Sequence, residues 1–401
     1  MAVIARSATP ILCLPLFLSQ WLVVTSISEQ PILLLLSFDG FRYDFLYRGN
    51  LTHFDQLRQW SFVPHVRPVF PSKTFPNHIS MATGLYAESH GVIGPYIDPE
   101  SKRVVDMNET AYWNYNDQVQ PIWALNEAAA GGRFSGCMMW PGCAYIRPPT
   151  YVQNYNKSVP WRERVSMVFD WLRDTERPAN LVLWYIEQPD AVGHAFGPDS
   201  PQVWEQLRRT DELLGYIVRT LRLFELEDRV NLVVTSDHGM SAVPPGHLID
   251  LDALLDPDWY QALGPNPVLR IVPRTGKSLT VYDRLRDGSE KLGLNYTVYV
   301  KEKIPERWHY RRNPRVPDIL LVAHEGYMFV TPGLNATLES YREEGRNLTG
   351  TLGNHGYDPQ LLSMEHPLLA RGPAFRRHFV HTTRLENVDV MELAALVLAL
   401  P

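Results

Sequence analysis

The segment VFPSKTFPNHIS, residues 69–80, sets Thr74 between Lys73 and Phe75, with Pro76 two residues on, where a helix is about to begin. Threonine is a common helix N-cap and a poor nucleophile. Two readings stand: Thr74 only starts a helix, or its hydroxyl is the reacting atom of an enzyme. Four further clusters bear on the choice. Asp39 follows an apolar run in FDGF, Asp190 and His194 lie four apart in EQPDAVGH, Asp237 and His238 adjoin in TSDHGM, and His355 sits in the glycine-flanked NHGYD. Each alone has a plain structural reading: Asp39 as a helix cap, Asp190 and His194 as a surface helical pair, His355 as a packed imidazole. Together, three carboxylates and three imidazoles match two neighbouring zinc ions, which take His nitrogen and carboxylate oxygen and leave positions open for substrate. Such a pair clamps the attacking and leaving oxygens of a phosphoryl transfer. A hydroxyl like that of Thr74 is activated when a metal stabilises its alkoxide. A helix starting here adds the positive end of its dipole, tolerates Pro76 in its first turn, and leaves Lys73 near a bound phosphate.

These clusters need elements to position them. Continuous apolar runs recur at ILLLLSF (32–38), LVLWYI (181–186), NLVVTS (231–236) and DILLVA (318–323). Such runs suit strands buried on both faces, as in a parallel sheet covered by helices. Between them lie amphipathic stretches such as residues 201–224, with apolar residues at helical spacing. The alternation reads as an α/β sandwich with a mostly parallel central sheet flanked by helices. Ligands bind such sheets at the carboxyl ends of the strands, where the Asp and His clusters fall. No repeat or long linker divides residues 29–401, which read as one catalytic domain.

The chain has 401 residues and a formal net charge of −6 with scattered Lys and Arg, so it carries no footprint for a nucleic-acid polymer. Its first 28 residues, with Arg6 ahead of a short interrupted apolar run, read as a signal peptide. Six N-x-S/T sequons follow, at Asn50, Asn108, Asn156, Asn295, Asn335 and Asn347, against about two expected from composition. Leader and sequons together predict a secreted glycoprotein. Cys137 and Cys143 remain outside the leader; they form a disulfide or stay as two buried thiols, and spacing does not decide.

In this order, LLLSFDGFR, KTFPNH followed by TGLY and ESHG, PD–GH–GP, TSDHGM and HGYD resemble the ectonucleotide pyrophosphatase/phosphodiesterase family, which shares the alkaline-phosphatase core. The resemblance covers roughly residues 31–395. It is greatest to the short members, numbers four and five, which have the catalytic domain without further domains. It implies that Asp190, His194 and His355 hold one zinc. It also implies that Asp39, Asp237 and His238 hold the other, with Thr74 completing that sphere and attacking phosphorus to form a phosphothreonine. KTFPNH resembles the nucleotide-cleaving branch, so Phe75 would stack on a nucleobase with Tyr155 as the opposite wall.

Two features depart from the pattern. Pro95, in SHGVIGPYIDPE, stands where relatives carry an asparagine that donates to a phosphate oxygen, and proline has no such donor. The chain also stops at LAALVLALP, too short a run to span a bilayer, so no C-terminal membrane anchor is expected. Membrane attachment would need a retained leader or a longer chain. The leading expectation is a small-molecule nucleotide as substrate, such as a dinucleoside polyphosphate or an NAD-like pyrophosphate. A phosphodiesterase for choline phospholipids or glycerophosphocholine is the alternative, with the aromatic-rich segment 112–161 as a cation–π cage. A third reading is a metal-binding glycoprotein whose catalysis Pro95 has weakened.

Overall fold

The computed structural model describes residues 27–98, 100–343 and 350–401. Residues 1–26 of the expected leader, and Asn347, lie outside them.

The central sheet is built on β1 (Ile32–Phe38), every residue of which is buried. Its side chains alternate between two cores, as strand geometry requires. Ile32, Leu34, Leu36 and Phe38 enter one, and Leu33 and Leu35 the other. Six more strands complete the body of the sheet: β2 (Ser61–Arg67), β3 (Ser135–Met138), β4 (Tyr151–Gln153), β5 (Leu181–Ile186), β6 (Val230–Thr235) and β7 (His366–Arg371). Their spatial order is β2-β7-β6-β1-β5-β3-β4. β1 runs parallel to β5 and β6, and β3 to β5 and β4, whereas β7 is antiparallel to both of its neighbours. The result is the α/β sandwich with a mostly parallel central sheet that the apolar runs predict, with the alkaline-phosphatase-like core that the resemblance implies.

Helices cover both faces. The helix Pro201–Leu223 starts with proline in its first turn and Ser200 as cap, the Ser200 hydroxyl accepting from the Val203 N–H at 3.3 Å. It buries Val203, Leu207, Leu214, Ile217 and Leu221 in the first core. On the other face Ile79, Met81 and Ala82, from the helix α1 (Thr74–Thr83), fill the second core. Cys137, on β3, and Cys143 form a disulfide, which resolves the choice that spacing leaves open.

The run at 318–323 departs from expectation. Ile319–Ala323 is fully buried, but it lies outside the central sheet. It pairs antiparallel with Val268–Pro273 and Tyr296–Val300 in a separate four-stranded sheet completed by Tyr260–Leu263. Its residues also serve two cores. Ile319, Leu321 and Ala323 pack with Val281 and Leu285 of the helix Ser278–Glu290, while Leu320 and Val322 pack with Phe70, Trp308 and Tyr310. Burial of both faces, not parallel pairing, is what this apolar run encodes.

Candidate active site

Register brings the first two acids level. Ser37 pairs with Thr235 across β1 and β6, so Asp39 and Asp237, each two residues further, emerge side by side. Asp190 begins the helix α2 (Asp190–Phe196) beyond β5, and its N–H donates to the Asp39 carbonyl at 3.0 Å. His194 follows one turn later on α2. His355 arrives from the far end of the chain, just after the strand Leu352–Asn354. All six residues expected from the sequence therefore meet.

The ligand atoms of Asp190, His194 and His355 lie within 4.8 Å of one another, as do those of Asp39, Asp190 and His238. Asp237 joins the second group, its Oδ2 being 3.1 Å from His238 Nε2. The two groups differ in access: Asp39, Asp237 and His238 are buried, whereas His194 is about one-third exposed (32%).

Each imidazole is oriented by a backbone carbonyl. Nδ1–H of His194 donates to Gly353 at 2.8 Å, that of His355 to Ser72 at 2.8 Å, and that of His238 to Gly239 at 2.9 Å. A carbonyl can only accept, so in the neutral imidazole the proton sits on Nδ1 and the Nε2 lone pair faces the carboxylates. The Nε2 atoms of His194 and His355 are only 3.0 Å apart. Asp39 Oδ1, Asp190 Oδ1 and Asp237 Oδ2 are buried without a hydrogen-bond partner. Two facing lone pairs ringed by unpartnered carboxylate oxygens are repulsive on their own and become favourable around a cation. The donor set fits metal ions.

The electrostatics agree. Burial, then the neighbouring charges of Asp237 and Asp190, lifts Asp39 well above the usual carboxylate range. Burial would also lift Asp237, but His238 and His78 hold it low. Burial lowers His194, and burial with the nearby His238 and Lys73 lowers His355 well below its ordinary value. Burial brings Lys73 down to about 7 against the pull of Asp190, Asp39 and Asp237. Its Nζ donates to Asn354 Oδ1 at 3.2 Å.

Thr74 is not the cap of α1. Lys73 holds that position, and Thr74 is the first helical residue, with Oγ1 3.4 Å from His238 Nε2. The hydroxyl is thus aimed at the metal-ligand cluster from the N-terminus of a ten-residue helix. Thr74 lines a cavity of about 1010 Å³ together with Lys73, Asp39 and Asp190. Phe75 and Tyr155 both line it too. Phe75 packs on Trp113 at 5.1 Å, Trp113 stacks on Tyr145, and Tyr155 is exposed, 6.1 Å from Tyr185. Pro95 is also in the wall. Of the sequons, Asn50, Asn108, Asn156 and Asn335 are exposed and Asn295 is half-buried.

Sequence reasoning missed several supporting groups. The Tyr185 hydroxyl donates to Asp39 Oδ2 at 2.6 Å, though Tyr185 lies within a run that reads only as a buried strand. Asn77 braces the turn before Thr74: its Oδ1 accepts from the Val69 N–H at 2.7 Å and its Nδ2 donates to the Lys73 carbonyl at 2.9 Å. His78 donates from Nδ1 to the Thr74 carbonyl at 2.7 Å. Asn77 and His78 both stand in KTFPNH, so their place beside Thr74 was the available signal.

This sandwich, with paired Asp and His clusters at the strand ends, is the frame of a metal-dependent hydrolase of phosphate esters. The chain belongs to the type I phosphodiesterase / nucleotide pyrophosphatase family, whose model matches residues 33–358, and is an enzyme that hydrolyses phosphodiester or pyrophosphate bonds. Human ectonucleotide pyrophosphatase/phosphodiesterase family member 5 is 39% identical over 361 residues, 88% of this chain and 71% of that one. Human bis(5'-adenosyl)-triphosphatase ENPP4 is 37% identical over 383 residues, 94% of this chain and 80% of that one. Solved human ENPP5 matches with a TM-score of 0.82 at 37% identity, covering 93% and 96% of the two chains. Murine ENPP5, solved in an inactive form in complex with AMP, matches equally well, with a TM-score of 0.82.

Proposed function

We propose that this chain is a secreted, zinc-dependent nucleotide pyrophosphatase/phosphodiesterase, acting on dinucleoside polyphosphates or NAD-like pyrophosphates through a phosphothreonine. The observation that carries this reading is the Thr74 hydroxyl on the first turn of α1, 3.4 Å from His238 Nε2. Asp190, His194 and His355 would hold one zinc, and Asp39, Asp237 and His238, with Thr74, the other. Two bound zinc ions supply Lewis-acid stabilisation of the attacking and leaving oxygens.

The protein's own part is positioning. Asn77 and His78 fix the main chain around Thr74, so its oxygen attacks phosphorus from a set direction. The Thr74 hydroxyl gives up its proton to solvent, and its O–P bond forms as the P–O bond to the leaving group breaks, the electron pair departing with that oxygen. First-turn N–H groups of α1 and Lys73 face the phosphoryl oxygens. Water then cleaves the Thr74–phosphate bond and releases the nucleoside monophosphate. Phe75 and Tyr155 would flank the base, contributing about 1–3 kcal/mol per stacked face. The exposed sequons and the leader support passage through the secretory pathway, and no described helix is long and apolar enough to cross a membrane.

One observation favours the choline alternative: Asp106 lines the same cavity as Trp113 and Tyr145, an acidic group beside aromatic walls. The test is turnover of p-nitrophenyl thymidine 5'-monophosphate against p-nitrophenyl phosphorylcholine by zinc-loaded protein. Preferential cleavage of the nucleotide, lost at least a thousandfold in a folded Thr74→Ala variant, is expected. Cleavage of the choline ester alone would overturn the substrate class, and silence on both would favour a metal-binding glycoprotein weakened by Pro95.

A further inference from the structure

The reacting end of the cavity is cationic or metal-binding, and its Phe75–Trp113–Tyr145 side is aromatic. A further stretch of wall is formed by Gly94–Pro95 and Gly264–Pro265. Behind it lies Arg270, from the strand Val268–Pro273, only 1% exposed. Its guanidinium is pressed against both glycines. A Cβ at Gly94 would stand 2.7 Å from Arg270 Nη2, and one at Gly264 would stand 3.2 Å from the same atom. Both glycines have left-handed φ values, +105° and +117°, so the wall is built where side chains cannot stand and the cation comes close to the cavity.

Arg270 is also under-partnered. Nη1 donates to the Gly94 carbonyl at a long 3.4 Å, Nη2 has no well-formed hydrogen bond although the buried Tyr310 hydroxyl lies beside the guanidinium, and no carboxylate pairs with the group among the described residues. Arg315 nearby shows how a structural arginine is accommodated in the same region. It donates to the carbonyls of Gly91, Tyr112 and Ala111 and to the Tyr96 hydroxyl, at 2.6–3.0 Å. A buried, unpaired charge is costly, and an anionic ligand in the adjoining cavity offsets that cost.

We infer that Arg270 is a specificity-determining residue for the leaving group: its guanidinium, behind the Gly94–Pro95 and Gly264–Pro265 wall, selects substrates that carry further phosphate beyond the scissile bond. The inference deepens the phosphodiesterase reading and rests on it. The lobe comes close to the reacting end at Gly356, where a Cβ would lie within 3 Å of both Pro267 Cδ and Lys73 Cε. Arg270 acts through space, across the wall that carries Pro95.

Two substrates separate this from a structural role: diadenosine triphosphate, with a charged leaving group, and p-nitrophenyl thymidine 5'-monophosphate, with an aryl one. Arg270→Gln keeps a donor for the Gly94 carbonyl and removes the charge. Its kcat/KM should fall roughly tenfold on the triphosphate, the scale of one charge interaction across a protein interior, and less than twofold on the aryl ester. Arg270→Lys should recover part of the loss. Equal losses on both substrates, or none on either, would overturn the assignment. A second measurement reads binding instead of turnover: calorimetry on zinc-loaded Thr74→Ala with and without Arg270→Gln. ADP is expected to bind at least fivefold tighter than AMP with Arg270 in place and nearly equally without it, and an unchanged ratio overturns the inference. If wild type cleaved neither substrate, the phosphodiesterase reading itself would fall, while the ADP/AMP comparison would still judge Arg270.

Discussion

ILLLLSF at 32–38 and DILLVA at 318–323 look alike, yet they build opposite things. The first becomes the parallel centre of a sheet whose strand ends carry Asp39, Asp190 and Asp237. The second becomes an antiparallel strand in a four-stranded lobe that brings no metal ligand and instead lends Arg270 and the Gly264–Pro265 wall. Both are buried on two faces, and both divide their side chains between two cores. An unbroken apolar run therefore reports coverage by neighbours and is silent about strand direction. The proposed functional division follows the architectural one: the candidate metal ligands stand at the ends of the central strands, and the lobe carries Arg270.

That division can be broken from either side. The largest effect belongs to the central sheet's site. His355→Ala should lower bound zinc from about two per chain towards one, read by elemental analysis, with turnover reduced at least a hundredfold. Unchanged metal content would remove His355 from the site. Leu321→Ala, in the lobe's own core, should cost about 2–5 kcal/mol in denaturant unfolding while the aryl-ester turnover per folded molecule stays near wild type. A matching loss of ester turnover would show that the lobe and the reaction are not separable.

The effect furthest from the site concerns pH. His90 is buried beside Ser80, and burial pushes its pKa from an ordinary 6.5 down to about 3. Between those values the unfolded chain binds the proton and the folded chain does not, so this contribution to stability is present above 6.5 and is lost as pH falls. His90→Gln should flatten the fall in stability between pH 6.5 and 3 by up to about 1.4 kcal/mol per pH unit. An unchanged slope by chemical denaturation would assign that acid sensitivity to other groups.

Much of the site was legible because its residues follow apolar runs: Asp39 and Asp237 stand at equal depth past β1 and β6, and a reader of the runs places them together. Thr74 was legible as the start of a helix, although as its first turn and not its cap. The lobe was less so. The stretch 301–318 between two of its strands, rich in proline and arginine, lacks a helical period, and parallel neighbours need a long crossover that is usually a helix. Its absence was the sign of antiparallel pairing. Arg270 and Tyr185 were hidden for another reason: each is a polar residue on a buried strand whose partner comes from a distant segment, and no local spacing encodes that.

The anchoring of the three imidazoles has a consequence for how the molecule is made. Their carbonyl partners are in the loop before α1, immediately after His238, and at the strand preceding His355. The site is thus assembled from the beginning, middle and end of the polypeptide. A chain still emerging from the ribosome can form β1, β5 and β6 and present three carboxylates, but it lacks the His355 imidazole and the Gly353 carbonyl that orients His194. A chain stopped before residue 353 would carry Thr74 and five of the six candidate ligands, with neither His355 nor the carbonyl that orients His194.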